Sequence, residues 1–315
     1  MNKIPQLHDI TEASERIKPF IHRTPILTSL SINKITDASV YFKCENFQKV
    51  GAFKFRGATN AVLLLNYQDK KQGVATHSSG NHAAALALAA KNMGIKAYVV
   101  MPENAPIIKK RAVESYGAEI TFCKPSLSAR ESSLNKLIEK TGAKFIHPYN
   151  NFNIISGQGT AAIEILEEYA DLDIVMAPVG GGGLLSGTAT AVKGVNKKIK
   201  VIAAEPKNAD DAFKSIKAGH IVPSINPNTI ADGLLTSLGD LTFRIISEKV
   251  DDIVTVSEKG IVEAMRLIWE RMKIIIEPSS AVPLAGILEH GQYFSGKKVG
   301  VILSGGNVDL NNLPF

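Results

Sequence analysis

Apolar and β-branched residues fall into short runs along this chain, separated by longer stretches whose apolar positions recur at helical spacing. Residues 97–101, 174–177, 200–204 and 299–303 are compact apolar runs of the kind that buried strands use. Residues 81–93, 105–116, 126–140, 159–169, 258–272 and 279–289 carry the longer, helical pattern. This alternation predicts parallel, helix-flanked sheets, with the ligand-binding loops following the strands on one edge. Residues 81–93 are almost all alanine and leucine with little polar face, which predicts a helix buried on several sides and packed close to a sheet. No Pro- or Ser-rich linker divides the chain, so two domains would be interleaved rather than consecutive. No fixed-period repeat is present.

The length of 315 residues is enough for about two domains. Hydrophobic residues at 45% and charged residues at 21% place the chain among globular proteins and exclude disorder. The longest apolar stretches, such as residues 83–90, fall far short of the about 18 residues of a membrane span. The opening Met1-Asn2-Lys3-Ile4-Pro5-Gln6 lacks the apolar core of a secretory signal. Cys44 and Cys123 make no Cys-x-x-Cys pair, which argues against a disulfide framework or a cysteine-rich zinc site. A cytoplasmic enzyme with no membrane partner is the expectation. The formal charge of +6 comes from 36 basic and 30 acidic residues, scattered apart from the runs at 109–111 and 197–200. With only 6% aromatics, this pattern argues against a nucleic-acid partner. It fits a small anionic ligand or simply a solvated surface.

Four segments combine small residues with polar groups at turns. The run Gly180, Gly181, Gly182, Gly183 follows the strand-like residues 173–179 and precedes a helical pattern over 184–192. Four glycines lose much backbone entropy on folding, which makes sense where a loop curls tightly and aims its N–H groups at one anion. Lys54 lies between Phe53 and Phe55 at the start of a helical stretch. Apolar surroundings disfavour an ammonium and yield a nucleophilic amine, although a lysine that snorkels to the surface has the same local sequence. Ser78-Ser79-Gly80-Asn81-His82 reads as a strand-to-helix turn that either binds a carboxylate or N-caps the helix through Ser78 or Ser79. Ser304 ends a strand before Gly305-Gly306, either to reach a ligand or to complete a turn.

Together, Asn46-Phe47-Gln48 followed by Gly51-Ala52-Phe53-Lys54, the 78–82 segment paired with the four glycines, and Ser304-Gly305-Gly306-Asn307-Val308-Asp309 resemble one family. It is the serine/threonine dehydratase and serine racemase family of pyridoxal phosphate enzymes, and the resemblance runs over nearly the whole chain from Arg23-Thr24-Pro25-Ile26. The resemblance implies the type II fold of this class: an α/β architecture of two interleaved open twisted sheets flanked by helices. It implies a large cofactor-binding domain from residues 1–72 and 148–315 and a small mobile domain from 73–147.

By the same resemblance, Lys54 holds pyridoxal 5'-phosphate covalently, with Phe53 beside it. Gly180, Gly181, Gly182, Gly183 and Leu184 bind its phosphate, Asn81 meets the ring hydroxyl and Ser304 faces the ring nitrogen. A neutral hydroxyl at that nitrogen makes a weaker electron sink, which favours prompt loss of a β-leaving group. Ser78, Ser79, Gly80, Asn81 and His82 hold the substrate carboxylate, Lys54 removes the α-proton, and Ser79 acts on the opposite face. Arg130 is a candidate partner for a second substrate carboxylate, or an exposed helix arginine. Glu205, the Ala209 carbonyl and Asp211 resemble the family's Mg²⁺ or Ca²⁺ loop, or form a solvated acidic turn.

The activity implied is β-elimination from serine or threonine to a 2-oxo acid and ammonia, with serine racemisation as a branch. The alternatives are a serine or aspartate racemase and a threo-3-hydroxyaspartate ammonia-lyase. A homodimer follows by analogy. Ala83-Ala84 departs from the glycine and glutamine of animal serine racemases, the latter near their ATP site, and puts nucleotide activation in question. The stretch after Asp309 is too short for the C-terminal regulatory domain of isoleucine-pathway threonine deaminases, so feedback through such a domain is not expected.

Overall fold

The computed structural model describes residues 3–78, 80–105 and 107–315. The chain starts with helix α1 (Leu7–Ile17), strand β1 (Ile26–Thr28), helix α2 (Leu30–Thr36) and strand β2 (Ser39–Cys44). Helices α3 (Lys54–Leu63) and α4 (Tyr67–Gln72) lead into β3 (Val74–His77), α5 (Asn81–Asn92), β4 (Ala97–Pro102) and α6 (Ile107–Ser115). Then come β5 (Glu119–Cys123), α7 (Leu127–Thr141), β6 (Lys144–Phe145), α8 (Phe152–Glu168) and β7 (Ile174–Pro178). The rest is α9 (Gly183–Val195), β8 (Lys200–Pro206), α10 (Asp211–Ala218), α11 (Asp240–Lys249) and β9 (Asp252–Val256). Helices α12 (Glu258–Met272), α13 (Pro278–Glu289) and α14 (Gly291–Phe294) precede the last strand, β10 (Lys298–Leu303).

The strands form two sheets. The larger has the order β1-β2-β10-β7-β8-β9, parallel except for β1, and the smaller has the order β5-β4-β3-β6, all parallel. All strands of the smaller sheet lie between Val74 and Phe145, so the larger sheet is assembled from chain on both sides of them. Strand β10 returns from the far end of the chain to sit between β2 and β7, with Leu303 opposite Cys44 and Val301 opposite Met176. Parallel pairing brings the loops that follow β2, β7, β8 and β10 to one edge of the large sheet, where ligands bind in open α/β sheets. Among the described residues no helix is long and apolar enough to cross a membrane.

The four apolar runs named above are β4, β7, β8 and β10. Every residue of β4 and β7 is buried, as helices on both faces of a parallel sheet require. The other strands are legible only from the fold. Strand β5 is mostly exposed, β6 has two residues, and β2 carries Lys43 with its charge buried. The alanine-rich helix is α5, buried from His82 to Ala87 and again at Ala89 and Ala90.

Helix α8 corrects the expected start at residue 159. It begins at Phe152, where the Asn151 side chain caps it by accepting N–H bonds from Asn153 at 2.9 Å and Ile154 at 3.1 Å. Gly157 and Gly159 lie inside the helix because neighbouring backbones touch it there. A Cβ on Gly157 would meet Gly57 Cα at 2.6 Å, and one on Gly159 would meet the Gly187 carbonyl oxygen at 2.7 Å.

Between α3, β2 and α8 lies a fully buried ion network. Arg56 donates to both oxygens of Glu45, at 2.7 and 2.8 Å, and to both oxygens of Glu164, at 2.7 and 2.8 Å. Lys43 Nζ adds a contact to Glu164 at 2.5 Å and donates to the Thr24 carbonyl at 2.6 Å. Burial opposes the charge of Glu164, but Arg56 and Lys43 outweigh it and hold this carboxyl below its ordinary range. Two cations facing two carboxylates leave no net buried charge, and any single truncation strands the partner. Arg56→Met is therefore expected to lower stability by about 3–5 kcal/mol, read as a lower urea midpoint at unchanged slope. A change within about 0.5 kcal/mol would show that the network carries no such weight.

Candidate active site

Lys54 is the first residue of α3, and its backbone is pinned by the exit of β10. Phe53 N donates to the Ser304 carbonyl at 3.0 Å, Ala52 bridges to Gly305, and Gly306 N donates to the Gly51 carbonyl at 2.9 Å. Just upstream, Val50 has φ 58°, an uncommon and strained state for a β-branched residue. The Asn307 side-chain amide donates to the Val50 carbonyl at 2.7 Å and fixes that turn. The Lys54 amine itself is half-buried. Nζ donates to the Pro148 carbonyl at 3.0 Å and lies 5.1 Å from the centre of the Phe53 ring. Burial pushes the amine down to about 8, with Glu277 partly offsetting the shift.

Pro148 links this amine to the glycine loop. The neighbouring Tyr149 fills the space that side chains at 181 and 183 would need: a Cβ on Gly181 would lie 2.4 Å from Cδ1 of its ring, and one on Gly183 2.8 Å from Tyr149 Cβ. Gly182 has φ +85° and N-caps α9 without a side-chain bond, while Thr242 Oγ1 donates to the Gly181 carbonyl at 2.9 Å. Gly180, Gly181, Gly182, Gly183 and Leu184 are all buried, and the amides of Gly180, Gly181 and Gly182 find no acceptor among the described residues. Buried N–H groups without acceptors at a helix N-terminus form a cradle for an anion such as a phosphate. Ser304 closes the other side. Its buried hydroxyl lies 3.1 Å from Ser280 Oγ, which is tied to the Gly305 backbone by bonds of 2.6 and 2.7 Å.

The 78–82 segment follows β3. Ser79 lies outside the described residues. Ser78 does not cap α5: the N-cap is Gly80, without a side-chain bond, and Ser78 Oγ accepts from Gly80 N at 3.3 Å. Among the described residues no side chain caps the first amides of α5, which suits an external acceptor. The Asn81 side chain is committed, donating to Glu277 at 3.0 and 3.1 Å and accepting from Asn307 at 2.9 Å. His82 faces inward, 3.3 Å from the Ile146 carbonyl, and burial first, then Lys54, holds its pKa well below the ordinary histidine value. It offers a ligand its backbone N–H rather than a positive charge.

Three further residues belong to this neighbourhood and had no motif to mark them. Glu277 is buried, and burial followed by the Asp232 carboxylate pushes it up to about 7. The clue was an acid inside the apolar run Ile274-Ile275-Ile276, directly before the Pro278 that starts α13. Pro148 and His147 occupy the turn after β6, and nothing local announces their contact with a lysine almost a hundred positions earlier.

Arg130, on α7, is half-buried, and its guanidinium makes no hydrogen bond or ion pair among the described residues. Its charge reaches His77, which burial and then Arg130 hold below the ordinary histidine value. Glu205 and Asp211 come together at the start of α10. The Glu205 oxygens accept the amides of Ala212 and Phe213, each at 2.9 Å, and burial still pushes the carboxyl up to about 8. Burial likewise pushes Asp211 up to about 6. Ser224 and Leu238 lie against it, but both its oxygens are buried without a well-formed hydrogen bond. Two such carboxylates next to the buried Ala209 fit a hard cation whose remaining ligands are carbonyl and water oxygens. Among the described residues no group of three or more His, Cys, Asp or Glu side chains forms a cluster.

Comparison with known proteins supplies the chemistry of this pocket. A family model described as "Pyridoxal-phosphate dependent enzyme" matches residues 17–305. A Paracoccus denitrificans (strain Pd 1222) protein named beta-hydroxyaspartate dehydratase is 53% identical over 312 residues, which cover 99% of this chain and 99% of its own. A Dictyostelium discoideum protein named serine racemase is 53% identical over 313 residues, 98% of this chain and 96% of its own. The solved structure of maize serine racemase matches with a TM-score of 0.96 at 46% identity, over 98% of this chain and 95% of that one. These matches over nearly the whole chain lead to one conclusion: the chain belongs to the pyridoxal-phosphate dependent enzymes of fold type II.

Proposed function

We propose that this enzyme is an ammonia-lyase that acts on small L-3-hydroxy amino acids by β-elimination, releasing a 2-oxo acid and ammonia. The observation that carries the reading is the Lys54 amine, pushed down to about 8 and held next to the residue that packs on the glycine loop. Pyridoxal phosphate, when bound, supplies a ring that accepts electron density from the substrate's α-carbon. Lys54 would hold it covalently, the amides of residues 180–184 its phosphate, and Ser304 its ring nitrogen, with Phe53 alongside.

The chain's own residues do the rest. The open amides of α5 and the Ser78 hydroxyl bind the substrate carboxylate. The Lys54 amine, poised near neutrality, takes the α-proton. The β-hydroxyl departs as water, taking up the proton that Lys54 removed from the α-carbon, and the released enamine hydrolyses to the 2-oxo acid and ammonia. Asn81 positions Glu277 through two hydrogen bonds, and would meet the ring hydroxyl by giving up one of them.

Arg130 favours 3-hydroxyaspartate over serine as the substrate. A half-buried guanidinium without a protein partner is suited to bidentate contact with a second carboxylate, and a relative at 53% identity is named beta-hydroxyaspartate dehydratase. Serine racemisation is a second branch of the same α-proton removal, favoured by the relative named serine racemase. It needs an acid on the far face, a role assigned to Ser79. Glu205, the Ala209 carbonyl and Asp211 would hold Mg²⁺ or Ca²⁺ in a structural role. Residues 73–147 would close on the large domain over the substrate, with the ion pair between Lys109 of α6 and Asp232 joining the two. A homodimer is the working assembly in this reading.

Two measurements test it. An ordinary lysine, with a pKa of about 10.4, is almost wholly protonated at pH 8, whereas one at about 8 is half neutral. Only the neutral amine attacks an aldehyde, so reconstitution of the apoenzyme accelerates as pH rises through 8 and then levels off. Visible absorbance follows the rate, and borohydride fixes the cofactor on the Lys54 peptide. A rate that still climbs about tenfold per unit up to pH 10, as the ordinary value of requires, contradicts the lowered amine. Arg130→Ala is expected to cut kcat/KM for 3-hydroxyaspartate by about 100-fold and that for serine by less than about threefold. Equal losses would remove Arg130 from carboxylate recognition.

A further inference from the structure

The turn between β6 and α8 holds a histidine next to the Lys54 amine. Nδ1 of His147 accepts two backbone N–H groups, from Tyr149 at 3.3 Å and from Asn150 at 2.9 Å. A ring nitrogen that accepts two N–H bonds carries no proton, so in the neutral ring the proton sits on Nε2. The turn is rigid. Asn150 donates to Asp240 at 2.5 Å and accepts from Leu241 N at 3.0 Å, and the Tyr149 ring is wedged against the glycine loop.

The His147 ring stands edge-on to Tyr149 with centroids 4.6 Å apart, and lies 5.6 Å from Phe145 and 6.3 Å from His77. Burial first, then the charges of His77 and Lys54, push its pKa down to about 4, with Asp240 opposing weakly. Nε2–H makes no hydrogen bond to any described residue, and His147 is only partly buried. The next residue, Pro148, gives the carbonyl that holds Lys54 Nζ at 3.0 Å. A neutral, oriented and unpartnered donor therefore stands between the amine and the end of β3, from which the carboxylate-binding segment departs.

We infer that His147 is the hydrogen-bond donor that reads the substrate's 3-hydroxyl, its Nε2–H meeting the oxygen that leaves. The inference rests on the elimination proposed above. The role is limited to donation. As a base the ring is blocked, because two backbone amides occupy Nδ1. As an acid it would have to become an imidazolate, which neutral water does not permit. His147 therefore neither takes nor gives the proton that leaves with the hydroxyl. Its hydrogen bond strengthens as that oxygen gains negative charge, and so stabilises the departing group more than the bound substrate. A substrate without a β-oxygen leaves the donor unpaired and is disfavoured for that reason.

Two variants separate this role from a structural one. His147→Asn keeps an acceptor near the Nδ1 position for the Tyr149 and Asn150 amides and removes the Nε2 donor. His147→Gln places an amide N–H near the Nε2 position. The probes are L-serine and 3-chloro-L-alanine, whose chloride departs without help from a donor. The expected result for the Asn variant is a loss of about tenfold or more in kcat/KM for serine and less than about twofold for 3-chloroalanine. The Gln variant should restore much of the serine activity. Equal losses for both substrates, or no loss for serine, would overturn the role.

A readout independent of turnover is the two-bond ¹H–¹⁵N spectrum of histidine-labelled protein. It should show His147 as the Nε2–H tautomer with almost no imidazolium between about pH 5.5 and 8, where an ordinary histidine loses most of its charge. An Nδ1–H tautomer, or titration near the ordinary histidine value, would refute the inference. Wild-type enzyme that releases a 2-oxo acid from neither probe nor from 3-hydroxyaspartate refutes the elimination itself. Wild-type activity combined with an unselective loss in the Asn variant refutes only the part assigned to His147.

Discussion

A buried guanidinium holds the reactive lysine where it is. Arg56 lies two residues after Lys54 on the same helix, and its fork ties the first turn of α3 to Glu45 at the end of β2 and to Glu164 in α8. Ion pairs this deep often cost as much in lost hydration as they return in attraction. What this one supplies is position. With the backbone of residues 51–53 also pinned to the exit of β10, the Lys54 side chain has one place to go, beneath the Pro148 carbonyl. Burial there does the chemical work by disfavouring the ammonium form.

Around that amine the protein keeps several groups unsatisfied. Helices α5 and α9 both start without a side-chain cap. Buried N–H groups without acceptors destabilise an empty protein by the cost of their lost hydration. In the proposed reading two anions, a phosphate on α9 and a carboxylate on α5, would remove that cost. The same reasoning holds for Asp211, whose buried oxygens lack well-formed hydrogen bonds. The groups whose environments oppose their charge, among them Lys54, Glu277, His147, Glu205 and Asp211, line the two places where ligands are expected.

The strands that sequence reveals are β4, β7, β8 and β10, because burial on both faces keeps polar residues out of their central positions. Strand β2 hides because Lys43 is neutralised by Glu164, a partner more than a hundred positions away. The start of helix α8 before residue 159 is hidden, because Gly157 looks like a breaker until the Gly57 backbone is seen against it. In the site, the glycine run and Lys54 stand out because four glycines and an amine flanked by aromatics are locally odd. His82 also looked like a ligand contact, yet its ring turns inward to Ile146. His147 and Glu277 acquire meaning only from the chain that packs on them, and spacing along the sequence does not encode that.

The central claim is that one amine and one glycine loop share a single cofactor. The most direct measurement is a crystal structure of the enzyme loaded with pyridoxal phosphate. The account predicts electron density continuous from Lys54 Nζ into the cofactor, with the phosphate seated on the amides of residues 180–184 and the ring nitrogen at Ser304. Attachment to a different lysine, or a phosphate bound away from the glycine loop, would contradict it.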